Sequence, residues 1–437
     1  MDKQQLKRAV CGAIDRRAEQ IKRIKTDIWE HPELGFKEHR TAQQVASVFS
    51  EFGLPFKTGL GITGVRADLK GRSDGPTVAV FGELDAVVCW DHPNADKKTG
   101  AVHACGHDAQ VAAMLGAAMG LIDSGAAAFL DGNVAFFGVP AEEFVELEYR
   151  ERLMEEGKIE FFGGKQELLR LGYLDDVDIA EMVHVEANTP ERIIRVSAGS
   201  NGFVGKTVRY IGREAHAGAA PQLGINALNA AMLGIFGIHA QRETFRDEDH
   251  IRVHPIITKG GDLVNIVPAD VRIETYVRGA RTEAIFDANK KVNRALRAGA
   301  DAVGAQVAIN EIPGYLPLRP FLPLSRVFEA NAEEVLGKGC VQASDFSGGS
   351  TDMGDITHII PGIHPYVGGI RGAAHTRTYE VADLDMVCVI PAKVLAMTVV
   401  DLLWDGAGLA KEIKSEFRPT YTKETYLEMW RKFRAGS

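Results

Sequence analysis

The 437-residue sequence predicts an α/β chain: a discontinuous domain with a mixed sheet flanked by helices, carrying an inserted α+β unit of ferredoxin-like order. Three observations predict it. Short apolar runs alternate with helical patterns up to about residue 195. A βαββαβ order then occupies residues 196–312, and an αβ texture resumes after the proline-rich stretch "PGYLPLRPFLPL" (Pro313–Leu324). One hydrophobic core rarely organises a chain of this length, so two domains are expected, 1–195 with 313–437 and 196–312.

In chain order, "TVAVFGEL" (Thr77–Leu84), "NVAFFGVP" (Asn133–Pro140) and "AEMVHVEA" (Ala180–Ala187) lack polar alternation and read as strands buried on both faces. Between the first two, Val111, Met114, Leu115, Ala118 and Leu121 recur at helical spacing, which predicts a helix from near Ala109 and completes a βαβ unit. In the insert, "GFVGKTVRYIG", "HIRVHPIITKG", "ADVRIETYVRG" and "AQVAINEI" read as strands. "NALNAAMLGIFGIHAQ" and "TEAIFDANKKVNRALRAGADAV" read as helices. The run "HIIPGIHPYVGGI" (His358–Ile370) and the helical "PAKVLAMTVVDLLWD" (Pro391–Asp405) return the chain to the first domain.

A formal net charge of -9 leaves no broad basic surface, so neither nucleic acid nor an anionic membrane is an expected partner. Five scattered cysteines do not form a disulfide framework and fit a reducing compartment. The N-terminal residues are charged throughout, unlike a secretion signal, and no segment approaches a charge-free membrane span. A cytoplasmic protein is expected.

In open α/β sheets, ligands bind beyond the carboxyl ends of strands. Four clusters fall at such ends: "HACGHD" (His103–Asp108), "PAEE" (Pro140–Glu143), His184, and "GAAHTRTYE" (Gly372–Glu380). Together they supply Cys105, His107, Glu142, Glu143, His184 and His375. Thiolate, imidazole and carboxylate donors suit zinc or manganese, and a pair of divalent ions needs about five or six of them. Adjacent glutamates let one bind metal while the other acts as general base.

Each cluster alone has an ordinary explanation. "HACGHD" fits packed or turn-forming residues equally well, "PAEE" fits the first turn of a helix, His184 a core histidine, and His375 a surface loop. A cysteine hydrolase with Cys105 as nucleophile and His103 or His107 as base also stays open. HExxH is absent, no P-C-x-x-C follows the "HVE" at His184, and "GLGITG" (Gly59–Gly64) is not followed by a helix.

Seven motifs occur in a familiar order: "HPELGFKE" (His31–Glu38), "GELDAV", "HACGHD", "PAEE", "GREAHAGAAPQLGINAL" (Gly212–Leu228), "GGDLVNIVPADVRIETYVRG" (Gly260–Gly279) and "AHTRTYE". In this the chain resembles the co-catalytic metallopeptidases that include aminoacylase, carboxypeptidase G and the amidohydrolases of auxin conjugates and aminobenzoyl-glutamate. The "HACGHD" form resembles the amidohydrolase branch, whose members act on indole-acetyl-aspartate, aminobenzoyl-glutamate or β-alanyl-lysine.

The resemblance implies a phosphorylase/hydrolase-like catalytic domain, an inserted lid and dimerisation domain, and a homodimer. It implies two divalent ions (Zn2+ or Mn2+) per subunit, bridged by Cys105, with His107 and His184 completing one ion and Glu143 and His375 the other. Glu142 would be the general base, Asp85 would orient a ligand, His216 would stabilise the oxyanion, and Asn265 and Arg278 would hold the oxyanion and a substrate carboxylate. The implied reaction is hydrolysis of an N-acyl or N-aroyl amino acid. A dipeptidase of the β-alanyl-lysine type is one alternative, and a non-catalytic substrate-binding subunit is another. Gln110 and Glu186 depart from the branch pattern, the first expected beside the ligands and the second in the substrate pocket.

Overall fold

A computed structural model of the chain describes residues 1–435, which fall into two compact units. The first comprises Met1–Ala198, Arg319–Asp345 and Asp355–Lys423. Its main sheet has six strands in the order Phe56–Leu60, Gly64–Lys70, Asp131–Val139, Ser73–Glu83, Ile179–Glu181 and Gly362–Ile363. The first two pairings are antiparallel and the rest parallel. The parallel strands are buried along almost their whole length, as their unbroken apolar runs require.

Helices Lys3–Glu30, His107–Asp123 and Ile390–Leu403 pack together beside this sheet. The middle helix is buried for nearly all its length. It can lie so close to its neighbours because of its glycines. A Cβ at Gly116 would stand 2.8 Å from both Ala392 and Ile21, and one at Gly120 only 2.4 Å from Ile14. The segment Asp385–Leu403 is long and apolar enough to cross a membrane by composition, contrary to the sequence reading, but 89% of it is buried inside the unit, where it forms core.

Two expected strands prove to be broken. The run Ala180–Ala187 divides into Ile179–Glu181, in the main sheet, and His184–Val185, in a separate four-stranded sheet. Its parallel neighbour likewise divides into Gly362–Ile363 and Tyr366–Val367, with Pro365 and its missing N–H between them. His184 therefore projects from a new ladder and not from the end of a core strand. In the insert, Pro255 similarly separates Arg252–Val253 from Ile256–Lys259.

The second unit comprises Gly199–Leu318, Phe346–Gly354 and the segment from Glu424 onward. Its antiparallel sheet places Gly202–Ile211 between Asp270–Gly279 and Gln306–Ile312, with Arg252–Val253 and Ile256–Lys259 along the outer edge of Asp270–Gly279. Helices Ala227–Ala240 and Thr282–Asp301 pack on it and on each other. The unit is larger than residues 196–312. The C-terminal helix Lys423–Ala435 joins it because the buried Trp430 and the neighbouring Phe433 pack against Phe286 of helix Thr282–Asp301.

Candidate metal centre

The loop "HACGHD" is shaped by Gly106, which caps helix His107–Asp123 at φ 89°, a left-handed conformation. A Cβ there would lie 2.3 Å from Val185, so only glycine allows this loop to approach the His184 strand. The helix begins two residues earlier than its apolar periodicity indicates, which makes His107 its first residue. Asp108 is anchored by a buried ion pair with Lys25 at 2.8 Å.

From this loop the Cys105 Sγ lies 3.3 Å from His184 Nε2. The loop carrying His375 is tied to it by a hydrogen bond from His375 N–H to Ala104 O, at 2.9 Å. His375 adopts φ 58°, and its Nε2 lies 3.2 Å from Glu143 Oε1. Three donor sets result: Cys105 with His107 and His184, Cys105 with Glu143 and His375, and Glu83 with His107 and Glu142. Within each, the donor atoms lie within 4.8 Å of one another, and the Cys105 sulfur is common to the first two.

Asp85 sits behind these groups, fully buried. Its Oδ2 accepts from Glu143 N–H at 2.8 Å, and its Oδ1 lies 3.2 Å from His107 Nδ1, which is also 2.9 Å from Asp85 O. Two acceptors facing Nδ1 hold a ring proton there, so Nε2 is the nitrogen left to face the cluster.

"PAEE" does not open a helix. It is a sharp turn after strand Asp131–Val139, with Ala141 at φ 52°. "HPELGFKE" builds the support for that turn. Glu33 accepts the N–H groups of Arg40 and Thr41 at the start of helix His39–Glu51. The buried Glu38 accepts Ala141 N–H at 2.7 Å and the Thr63 hydroxyl at 2.6 Å, and burial, then the charge of Asp85, push its carboxyl up to about 7. On the other side the fully buried Arg150 donates to the carbonyls of Phe162, Ala141 and Glu143. Glu142 and Glu143 thus leave a clamped turn as neighbours in a buried site.

The charges interact strongly. Burial and Glu143 oppose a thiolate at Cys105, yet His184, His107 and His375 together bring its pKa down to about 6. Burial opposes charge on His107, but the Cys105 sulfur and the Glu83 carboxylate raise its pKa well above the ordinary value. Glu143 raises the pKa of His375, and His375, against burial, lowers that of Glu143.

This donor set fits a divalent cation. His107 Nε2 and Glu143 Oε1 are buried without a well-aligned hydrogen bond and face Glu83 Oε2 and His375 Nε2, each at 3.2 Å; once the two rings lose their extra protons, these facing donors need a shared cation. Nitrogen and oxygen donors at about 2.0–2.1 Å around a tetrahedral ion stand about 3.3 Å apart, close to the 3.2 Å between His375 Nε2 and Glu143 Oε1.

Sequence reasoning missed Glu83, although "GELDAV" contains it. It is fully buried, its Oε2 lies 3.2 Å from His107 Nε2, and its Oε1 accepts from Lys165 Nζ at 2.5 Å. It closes strand Ser73–Glu83, and a single glutamate at a strand end becomes notable only once its burial is known. Gln110 accepts the Glu83 N–H through Oε1 at 3.3 Å, and Glu186 is half-buried with Arg195 at 3.6 Å. His103 is fully buried.

His216, Asn265 and Arg278 belong to the second unit. His216 is exposed, and its Nδ1 accepts the N–H groups of Gly218 and Ala219. The exposed Asn265 accepts Ala217 N–H through its backbone carbonyl, which joins the two turns. Arg278 donates to Ser350 Oγ at 2.8 Å and stacks on Phe203 and Tyr276.

The model of peptidase family M20/M25/M40 matches residues 79–400, the stretch that carries every donor named above. The chain belongs to this family. Like other members of the M20/M25/M40 peptidases, it is a metal-dependent hydrolase of amide bonds. It is 29% identical to the Xaa-Arg dipeptidase of Mus musculus over 97% of its own length and 94% of that protein. It is 28% identical to the IAA-amino acid hydrolase ILR1-like 6 of Arabidopsis thaliana, over 66% of this chain and 58% of that one. Its mixed α/β fold is similar to that of the Bacillus subtilis YXEP protein, described as a dinuclear metal binding peptidase. The TM-score is 0.67 at 23% identity, covering 89% of this chain and 99% of that one.

Proposed function

We propose that this M20 peptidase is a two-metal amidohydrolase that releases a free amino acid from a small N-acyl or N-aroyl conjugate or a dipeptide. The observation that carries the reading is the convergence of two donor sets on one shared sulfur, with Glu142 beside them. Cys105, His107 and His184 would hold one ion and Cys105, Glu143 and His375 the other, with zinc or manganese as the candidate metals. When bound, such ions polarise an amide carbonyl and make water acidic enough to lose a proton near neutral pH.

The chain's own residues do the rest. Glu142, 8% exposed at the edge of the cluster, takes the proton of the attacking water and returns it to the leaving amine nitrogen. His216 and Asn265 serve the oxyanion, where loss of one donor typically costs about 100- to 1,000-fold in rate. Arg278, already ordered by Ser350 and two aromatic rings, takes the substrate carboxylate through its planar fork.

The near full-length match to a protein named Xaa-Arg dipeptidase favours a dipeptide ending in a basic residue over an auxin conjugate, whose hydrolase matches a shorter part of the chain. A homodimer through the second unit is part of the proposal. Met232, Leu233 and Phe236 leave an apolar face exposed on helix Ala227–Ala240, and Ile256 and Ile257 line the edge strand. Cytoplasmic location completes it.

The test is hydrolysis of a panel containing β-alanyl-lysine, an Xaa-Arg dipeptide, aminobenzoyl-glutamate and indole-acetyl-aspartate, with metal stripped and then zinc or manganese restored. Activity should vanish on chelation and return with metal, whereas a Cys105 thiol hydrolase would survive chelation. Glu142→Gln should lose turnover with metal content unchanged; retained turnover removes Glu142 as the base.

A further inference from the structure

We propose that Glu186 selects the acyl half of the substrate, its carboxylate receiving a free ammonium two or three bonds from the scissile carbonyl, so that dipeptides are preferred to N-acyl conjugates. The inference rests on the two-metal reading and deepens it by naming the chemistry of the acyl group.

The four-stranded sheet that carries His184 is two-faced. Tyr366 lies between His184 and Arg195 of the neighbouring strands, and Val367 lies between Val185 and Ile194. Val185, Val367 and Ile194 are part of the core. His184, Tyr366 and Arg195 share the opposite face and are partly exposed. Glu186 continues the His184 strand, its N–H donating to Val367 O at 2.7 Å, and the alternation of side chains along a strand puts it on the same face as His184. From this face His184 reaches the Cys105 sulfur. A carboxylate thus stands one step along the wall from a proposed metal ligand, outside all three donor sets.

The charge of Glu186 is poorly matched within the chain. Its one ion-pair partner among the described residues is Arg195, whose Nη1 stands 3.6 Å away and donates instead to Thr189 Oγ1 at 3.3 Å. A contact of 3.6 Å is not a hydrogen bond, so this half-buried carboxylate keeps the capacity to accept a closer donor.

Distance decides which cation that donor belongs to. Two residues along a strand span about 6.6 Å. An amine three single bonds from a carbonyl carbon reaches about 4 Å, and a charge-assisted hydrogen bond adds about 2.8 Å. Together they match the step from His184 to Glu186, with the carbonyl placed beside His184. The side-chain ammonium of a leaving lysine is seven bonds from the same carbon, about twice as far. A plain N-acyl or N-aroyl group offers no cation at all.

The experiment uses the full chain loaded with zinc or manganese and compares β-alanyl-lysine with N-butanoyl-lysine, in which a methyl group replaces the ammonium. Wild type should favour β-alanyl-lysine by about 10- to 100-fold in kcat/KM, the effect of one hydrogen bond to a charged group. Glu186→Gln should lose that preference by slowing the first substrate alone, with bound metal unchanged. Glu186→Lys should instead favour N-succinyl-lysine, whose acyl group ends in a carboxylate. A wild type that cleaves both lysine substrates equally well, a preference that survives Glu186→Gln, or a Glu186→Gln chain slowed equally on both overturns the proposal and leaves the amidohydrolase reading intact. A metal-loaded wild type that cleaves neither also overturns the proposal, and the wider reading falls with it only if aminobenzoyl-glutamate and indole-acetyl-aspartate resist as well.

Discussion

Adding one methyl group at Gly35 perturbs the clamp on the Glu142–Glu143 turn without touching a proposed ligand. A Cβ at this position would lie 2.6 Å from Arg150 Nη2 and 3.0 Å from both Cα and Cβ of Ala141. Ordinary contact begins at 3.4 Å, so Arg150 must retreat by about 0.8 Å or the turn must move. Neither has room, because Arg150 is fully buried and Ala141 is held from below by Glu38. Overpacking of this kind costs about 1–3 kcal/mol, and a lost hydrogen bond from a charged donor about 1.5–3 kcal/mol more. A displacement near 1 Å next to the reacting groups can cost about 100-fold in rate. Gly35→Ala should therefore lower the denaturant midpoint and cut kcat by about 10- to 100-fold. Bound metal measured on the same sample separates the cause: a full complement with slow turnover places the damage at Glu142, and lost metal places it at Glu143. A variant with wild-type midpoint and kcat within about twofold of wild type would refute the clamp.

Two other outcomes are expected. In the metal-free chain, Glu143 raises the pKa of His375, and those of His107 and His184 are raised, chiefly by Cys105, against the opposing effect of burial. A raised pKa keeps each ring protonated to higher pH, so each must surrender a proton before it can bind metal. Affinity should thus fall as pH falls, with up to about three protons released per chain on loading both ions; calorimetry in buffers of different ionisation heat counts them, and no proton release would contradict the assignment. At the second unit, Phe236 is 72% exposed, and a phenylalanine buried in an interface contributes about 1.5–3 kcal/mol. Wild type should sediment as the proposed dimer at micromolar concentration and Phe236→Glu as a monomer; a wild-type chain that is already monomeric there removes the dimer.

The linear order of residues determined the alternation of elements, the proline-marked return at Pro313–Leu324, and which side chains, Cys105, His107, Glu143, His184 and His375 among them, are candidate donors. These were legible because apolar periodicity and donor chemistry are properties of short segments. Tertiary structure alone decided what lies opposite what. Periodicity shows which face of an element is buried but not which partner it meets, and only the packing of Trp430 and Phe433 against Phe286 assigns the C-terminal helix to the second unit. The break after Glu181 arises from a proline in a neighbouring strand nearly two hundred positions away, which no local pattern reports. Glu83, an unremarked strand residue in one dimension, acquires its meaning only from Lys165 and His107, because the energy of a buried charge depends on the groups folding brings within a few ångströms of it.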